Sequence, residues 1–252
     1  FFFRWGWRDL GGIGWRRGVV LTVLAGPGFS LLFMSGFTLA PLVHGAVIAP
    51  ACQMLSGLAL SAWLAHQRWT RESVIGAALV TLGLGFIGGD GLVQGGLGPT
   101  LLGDALFALA GASWGLFGAL SRRWQVDALR VTAAVVVLSL AMVAPVFLLF
   151  ADLRRLADAG AGMLAMQLVA QGLGAGFVAV LAYSRAAVLL GSGRAGFFGA
   201  LVPGAASLIA IPVLGEVPGP LQVMGICAVV LGLLVAFGAA RALLVRPSPG
   251  LR

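Results

Sequence analysis

The sequence contains no lysine and no asparagine, and charged residues make up only 10% of its 252 positions. Without lysine the chain has no phosphate-binding loop of the Walker type, and without asparagine it has no N-glycosylation site. Cysteine is scarce as well, since Cys52 and Cys227 are the only two and lie in separate apolar stretches. We expect both thiols to pack as small apolar groups, so neither indicates the redox environment of the protein.

The remaining composition is strongly apolar. Hydrophobic residues make up 60% of the chain and the mean hydropathy is +1.04, whereas soluble domains contain about 45–50% apolar and about 25% charged residues. A water-soluble protein of this length could not bury that much apolar surface, which excludes a soluble enzyme. The 39 glycines and 11 prolines agree with this conclusion, because transmembrane helices use both residues more freely than soluble helices do.

Charged residues divide the chain into uncharged runs long enough to cross a membrane. About 20 helical residues span a hydrocarbon core of about 30 Å, and backbone groups in lipid must be bonded within the segment. The alternating segments of about 10 residues that are typical of a barrel do not occur in the sequence. The pattern predicts an all-α polytopic membrane protein with eight helices. Two lie between Arg17 and Arg68, with a break near Ala40-Pro41, and the others lie within 73–89, 105–121, 131–151, 159–184, 195–215 and 217–240.

The arginines predict the orientation in the membrane. If the N-terminal end is cytoplasmic, every arginine except Arg154 and Arg155 falls in a cytoplasmic segment, which is the positive-inside distribution. The net charge of +8 then requires no polyanionic ligand, and arginines spaced between apolar runs do not form a nucleic-acid-binding face. We expect a multi-pass protein of the cell (inner or plasma) membrane whose C-terminal tail, residues 241–252, is cytoplasmic.

The first eight residues combine aromatic and arginine side chains and do not include an initiator methionine. This composition is typical of a transmembrane helix that ends at a cytoplasmic interface. In a signal peptide the charges would precede the apolar core. We therefore expect one or more further helices upstream of Phe1.

Two segments of the chain match when the sequence is shifted by 149 residues. Over nine positions, five residues of segment 76–84 are identical to their counterparts in segment 225–233. The predicted helices around these segments cross the membrane in opposite senses. Inverted repeats of this kind are a transporter architecture, with the substrate site near the membrane midplane between the repeats.

Several short motifs accompany the repeat. Helix-opening Gly103-Asp104 is followed by Ser113-Trp114 and Ser121-Arg122, and the second half continues through Pro203, Leu214-Gly215-Glu216 and Gly225. Together these motifs resemble the EamA-like family of the drug/metabolite transporter superfamily, over essentially the whole chain.

The resemblance implies ten helices in two inverted five-helix repeats, of which this chain supplies about eight. Residues 1–89 would form part of the first repeat and residues 100–240 the second. The motif residues Asp104, Pro203, Glu216 and Gly225 would have structural roles. The first repeat departs from the family pattern, because His66-Gln67-Arg68 stands in place of Leu-Gly-Glu and Met54 in place of proline.

Polar and aromatic residues within the apolar runs are the candidates for a substrate cavity, because polar side chains are costly in lipid. Gln167, Gln171 and Gly174 share one helical face at their spacing, and a second face carries Gln53. The alternative for these residues is hydrogen bonding and close packing between helices. We expect His44 to be an interfacial residue near a helix start rather than a proton relay. The candidate cavity residues are Gln53, Trp114, Gln167, Gln171 and Tyr183.

Two patterns suggest enzymes but lack the necessary context. Gly111–Gly115 fits the G-x-S-x-G pattern around Ser113, yet it lies within a predicted helix and not at a strand-to-helix turn. The pattern Gly83-x-Gly85-x-x-Gly88 fits a dinucleotide fingerprint, yet no strand–helix–strand unit surrounds it. In lipid, small residues at such spacings more often allow helices to approach closely. We therefore predict neither enzymatic activity nor a cofactor.

The sequence predicts a secondary transporter that exports small organic metabolites by alternating access. Its partners would be a small-molecule substrate and the lipid bilayer, with a second copy of the chain as a candidate dimer partner and no nucleic acid. The alternative is a membrane scaffold or assembly subunit that transports nothing. An intramembrane protease built around Ser113 is a third hypothesis.

Overall fold

The computed structural model describes residues 9–65, 69–95, 98–150, 158–178, 192–215 and 217–236. Every regular element in these residues is helical, which confirms the predicted all-α class. A short 3-10 turn, Leu10–Gly12, precedes the first long helix. The α-helices are α1 (Trp15–Ala25), α2 (Pro27–Phe37), α3 (Leu42–Ala65), α4 (Arg71–Gly95), α5 (Pro99–Arg123), α6 (Ala128–Phe150), α7 (Gly160–Gln167), α8 (Ser192–Leu214) and α9 (Pro220–Ala236), and a π-helix, Leu168–Val178, continues α7.

Five segments of the described residues are long and apolar enough to cross a membrane. Two shorter apolar helical stretches, Leu201–Leu214 and Pro220–Ala236, accompany them. These lengths confirm a polytopic membrane protein. The five candidate spans are Trp15–Phe37, Leu42–Leu60, Arg71–Gly89, Pro99–Arg123 and Arg130–Phe150.

The first span is broken at Gly26, whereas its sequence predicts one continuous helix. Gly26 donates its N–H to the carbonyl oxygen of Thr22 at 2.7 Å, which closes α1. Pro27 then starts α2 at the first helical position, where its missing N–H costs no hydrogen bond. The break predicted near Ala40-Pro41 is present, since α2 ends at Phe37 and α3 begins at Leu42.

Helices α4 and α9 pack against each other in antiparallel directions, and glycines allow their backbones to approach. A Cβ atom added to Gly76 would lie 2.6 Å from the carbonyl oxygen of Gly232, and one added to Gly232 would lie 2.7 Å from that of Gly76. Midway along the contact, Val80 and Val229 are both fully buried. The 149-residue shift aligns Gly76 with Gly225 and Gly83 with Gly232, so the contact is reciprocal, as expected of two elements related by a twofold axis.

Helices α3 and α5 pack in parallel along a second close seam. A Cβ atom added to Gly103 would lie 2.6 Å from the Cβ atom of Ala40. Further along, Gly115 has its nearest neighbours on α3, at the Ser56 hydroxyl and the Gln53 carbonyl oxygen. Both helices therefore begin at the same end of the bundle.

The described arginine side chains lie at the opposite end of the bundle. There, Arg17 lies over the ring of Trp124 at 5.5 Å, and Arg130 donates from Nη1 to the carbonyl oxygen of Gly11 at 3.1 Å. Arg71 begins α4 at this end, and Arg122 and Arg123 close α5. The end where α3 and α5 begin is thus separated from these cations by the length of the helices.

Candidate functional site

A histidine and an aspartate meet where α3 and α5 begin. His44 is the third residue of α3 and Asp104 is the sixth residue of α5. Their Nδ1 and Oδ1 atoms are 2.7 Å apart, although the residues are separated by 60 positions in the sequence. The side chains are only 3% and 12% exposed. The parallel seam is what brings the two groups together.

The pair leaves one polar atom without a partner. If the Asp104 carboxylate is ionised and the imidazole of His44 is neutral, the carboxylate can only accept, so Nδ1 donates and Nε2 holds a lone pair. Nε2 is buried and has no hydrogen-bond partner among the described residues. Buried polar atoms are rarely left unpaired, and an exception requires an explanation. Here the free nitrogen is a position for a proton or for a hydrogen-bond donor.

His44 lies near a helix start, as the sequence predicts, and its side chain is buried against α5. Asp104 was expected to have a structural role, and its contact with His44 gives it an acid–base partner as well. The sequence does not reveal the pair, because the two helices are not consecutive in the chain.

An aromatic column continues from this pair along α2 and α5. The ring of Phe107 is fully buried, and its centroid lies 5.0 Å from that of Phe37. Further along, Trp114 contacts Phe29 at 5.7 Å and Phe117 at 5.4 Å, in edge-to-face geometry. Such contacts stabilise helix packing.

Gln53 and Trp114 lie on the two helices of the α3–α5 seam. Gln53 has an exposed side chain, and its carbonyl oxygen lies beside Gly115, the residue after Trp114. Trp114 is half-buried, and its indole Nε1 is buried with no hydrogen-bond partner among the described residues. The backbones of these two predicted cavity residues are therefore close, while the ring of Trp114 packs against Phe29 and Phe117.

Gln167 and Gln171 lie elsewhere, at the junction of α7 with the π-helix. Both side chains are exposed, and this segment shows no extensive packing against the other described helices. The predicted stripe through Gly174 does not hold here, because a π-helix forms i→i+5 bonds and has more residues per turn than an α-helix. Tyr183 lies outside the described residues.

The other family-motif residues have separate surroundings. Pro203 is buried in α8, and its carbonyl oxygen accepts a hydrogen bond from the Ser207 hydroxyl at 2.8 Å. Gly225 lies in the α4–α9 contact. Glu216 lies outside the described residues.

Ser113, the centre of the G-x-S-x-G pattern, lies in the interior of α5. Its hydroxyl lies 2.9 Å from the carbonyl oxygens of both Ala110 and Leu24, and these two acceptors share its single proton. Leu24 precedes the break at Gly26, so this hydroxyl links α5 to the broken first span.

The described residues form two cavities at the arginine end. One, of about 270 Å³, is lined by Arg17 and Arg130 among others. The other, of about 500 Å³, extends along the ends of α5 and α6. Neither includes a predicted cavity residue. Within the described residues no group of three or more potential metal ligands is found.

The long apolar helices define a polytopic membrane protein. Residues 101–238 match the sequence profile of the EamA-like transporter family, and the chain belongs to this family. No curated protein and no solved structure matches the chain.

Proposed function

We propose that this protein is a secondary transporter that exports small organic metabolites by alternating access. The observation that carries the proposal is the reciprocal contact between α4 and α9. Val80 and Val229, equivalent under the 149-residue shift, are fully buried at its centre, and glycines pack on either side of them. Such a contact supports two halves related by an axis in the membrane plane, the arrangement in which two halves rock around a shared site.

This axis would relate the two proposed halves of the chain to each other. Residues 1–89 form part of the first repeat, residues 100–240 form the second, and residues 241–252 form a tail. The α3–α5 seam then joins the two halves, because α3 lies in the first and α5 in the second. A substrate site near that seam would be sensitive to the relative position of the halves.

The substrate-contacting residues that we propose are Gln53, Trp114, Gln167, Gln171 and Tyr183, with Gln53 and Trp114 on α3 and α5 and the other two glutamines on the separate segment formed by α7 and the π-helix. An exposed glutamine within a membrane-spanning segment is costly if it faces lipid, so an exposed Gln53 supports a polar cavity along α3. The Nε1 of Trp114 is buried without a hydrogen-bond partner among the described residues, so it would donate to a solute only when the helices around it move apart. Amide and indole groups suit neutral or zwitterionic solutes such as amino acids better than strongly charged ones.

The orientation that we propose places the arginine end in the cytoplasm, with the protein in the cell (inner or plasma) membrane. The grouping of Arg17, Arg71, Arg122 and Arg130 at one end supports it. The C-terminal tail is then cytoplasmic, and the His44–Asp104 pair lies toward the outer face. Assembly as a homodimer remains a prediction from the sequence.

Export is tested with cells that express the full reading frame and with matched cells that express an unrelated membrane protein at the same level. Both are loaded with a panel of amino acids, toxic analogues and other metabolites, and the retained and exported pools are measured by mass spectrometry. We expect selective loss of one class of compound from the first cells. Equal pools across the panel, with the protein present in the membrane, would refute export and favour the membrane scaffold.

A further inference from the structure

The His44–Asp104 pair carries a charge that depends on one proton. With a single proton between Nδ1 and Oδ1, the pair carries one negative charge. A second proton, on Nε2 or on the other carboxylate oxygen, makes the pair neutral, and it belongs to the pair rather than to either residue. We propose that this pair is the proton-binding site that couples export to the transmembrane proton gradient, an inference that rests on the proposed transport function.

No described cation is near enough to neutralise the pair in another way. Arg122 lies 18 residues beyond Asp104 on α5, about 27 Å away at 1.5 Å per residue. Arg71 and Glu72 lie at the same distant end, where α4 begins. Helices α2 and α9 contain no charged residue. The side chains of Asp90 in α4 and Arg194 in α8 lie outside the described residues. No described side chain therefore supplies a positive charge next to the pair, and a bound proton is the countercharge in our proposal.

The position of the pair suits proton-driven export. The pair connects α3 of the first proposed repeat to α5 of the second, so its charge acts on both halves. Asp104 is the more exposed partner, and both residues lie near the starts of their helices, on the proposed outer side. A proton would bind there from outside and be released to the cytoplasm as the solute leaves the cell. One proton then moves inward per cycle, and no oxidant or reductant is needed.

Proton binding itself is tested without any solute. Infrared difference spectra between acidic and alkaline samples are recorded on the full-length protein in lipid nanodiscs, with histidine labelled by ¹⁵N. We expect carboxyl or imidazole bands that disappear in both His44→Gln and Asp104→Asn and persist in His66→Gln, which removes the other histidine. If these bands are absent from the wild-type protein, the pair does not bind a proton and the inference is overturned, whatever the protein transports.

Coupling is tested with the compound identified in the export assay. In proteoliposomes, solute exchange without a gradient is compared with transport driven by a pH difference. We expect His44→Gln and Asp104→Asn to retain exchange within about twofold but to lose stimulation by the gradient, whereas His66→Gln retains both. Stimulation that survives in His44→Gln overturns the inference. Loss of exchange and stimulation together, at normal protein levels, overturns it in favour of a structural role.

The two tests also separate this inference from the proposed function. If the acid-dependent bands are present but no solute is exchanged or exported, the transport proposal fails and the pair couples nothing. If a solute is transported but the bands are absent, export stands and the proton site is refuted.

Discussion

The backbones of Gly83 and Gly225 are in close contact where α4 and α9 cross. A Cβ atom added to Gly83 would lie 2.7 Å from the carbonyl oxygen of Gly225, and one added to Gly225 would lie 2.8 Å from that of Gly83. Each residue thus leaves no room for a side chain on the other. The same relationship holds between Gly76 and Gly232, which are the repeat partners of Gly225 and Gly83. The four glycines form two equivalent contacts around one axis.

Alanine at either glycine of this crossing should destabilise the protein by a similar amount. The added methyl group meets backbone atoms, which cannot move aside without separating the helices, and overpacking typically costs about 1–3 kcal/mol. Thermal unfolding in detergent, followed by fluorescence size-exclusion chromatography, compares Gly83→Ala and Gly225→Ala with the wild type. Gly85→Ala is the matched control, since no described atom apart from its chain neighbours and the nearby backbone of its own helix lies within 4 Å of its added Cβ. Equal melting temperatures for Gly83→Ala and Gly85→Ala would contradict the close approach.

The repeat could be predicted from the sequence because it depends on matching residue types along α4 and α9. The helices could be predicted because their apolar runs are bounded by charges. The His44–Asp104 contact could not, since it depends on which nonconsecutive helices are neighbours. The π-helix from Leu168 was also missed, because periodicity cannot distinguish i→i+5 from i→i+4 bonding in a uniformly apolar segment.

The double variant, with leucine at both His44 and Asp104, should lose less stability than the sum of the losses in the two single variants. Either single change leaves a buried polar or charged group unpaired, and breaking a buried pair costs about 3–5 kcal/mol. The double variant removes both polar groups.

A double-mutant cycle of thermal unfolding measures the difference. Thr70 and Ser73, an exposed pair with hydroxyl oxygens 3.0 Å apart, serve as the control cycle. Strictly additive costs at His44 and Asp104 would show that the two groups do not interact.

Leucine in place of Gln171 should lower the rate of export while the protein is still inserted at normal levels. Gln171 is exposed in the π-helix, so its removal leaves no buried partner unpaired. Loss of one hydrogen bond of about 0.5–1.5 kcal/mol to the solute corresponds to a rate about 2- to 13-fold lower. Initial rates are normalised to the amount of protein in the membrane. Leu173→Met, an exposed position of the same π-helix, should export at the wild-type rate. Unchanged kinetics in Gln171→Leu would remove this residue from the proposed cavity.

Alanine in place of Ser113 should reduce stability by about 1 kcal/mol, the net value of one hydrogen bond, and should leave export within about twofold. The hydroxyl bonds to backbone carbonyl oxygens, one of them at Leu24 before the helix break. Thr81→Ala is the control, because its hydroxyl bonds to a carbonyl oxygen of its own helix at an exposed position. The protease hypothesis makes the opposite prediction, that Ser113→Ala abolishes a cleavage activity while fold and expression are retained.

The arginine end of the bundle should be reached by membrane-impermeant thiol reagents only after cells are permeabilised. Trp69, between α3 and α4, is 50% exposed at that end, and Val217, before α9, is 77% exposed at the other. In a background where Cys52 and Cys227 are replaced by serine, Val217→Cys should be labelled in intact cells and Trp69→Cys should not. The positive-inside rule supplies the physical reason, since arginine-rich segments are retained in the cytoplasm. The opposite labelling pattern would invert the proposed topology and place the His44–Asp104 pair toward the cytoplasm. In that orientation the pair would meet protons from the side at which an exporter must release them.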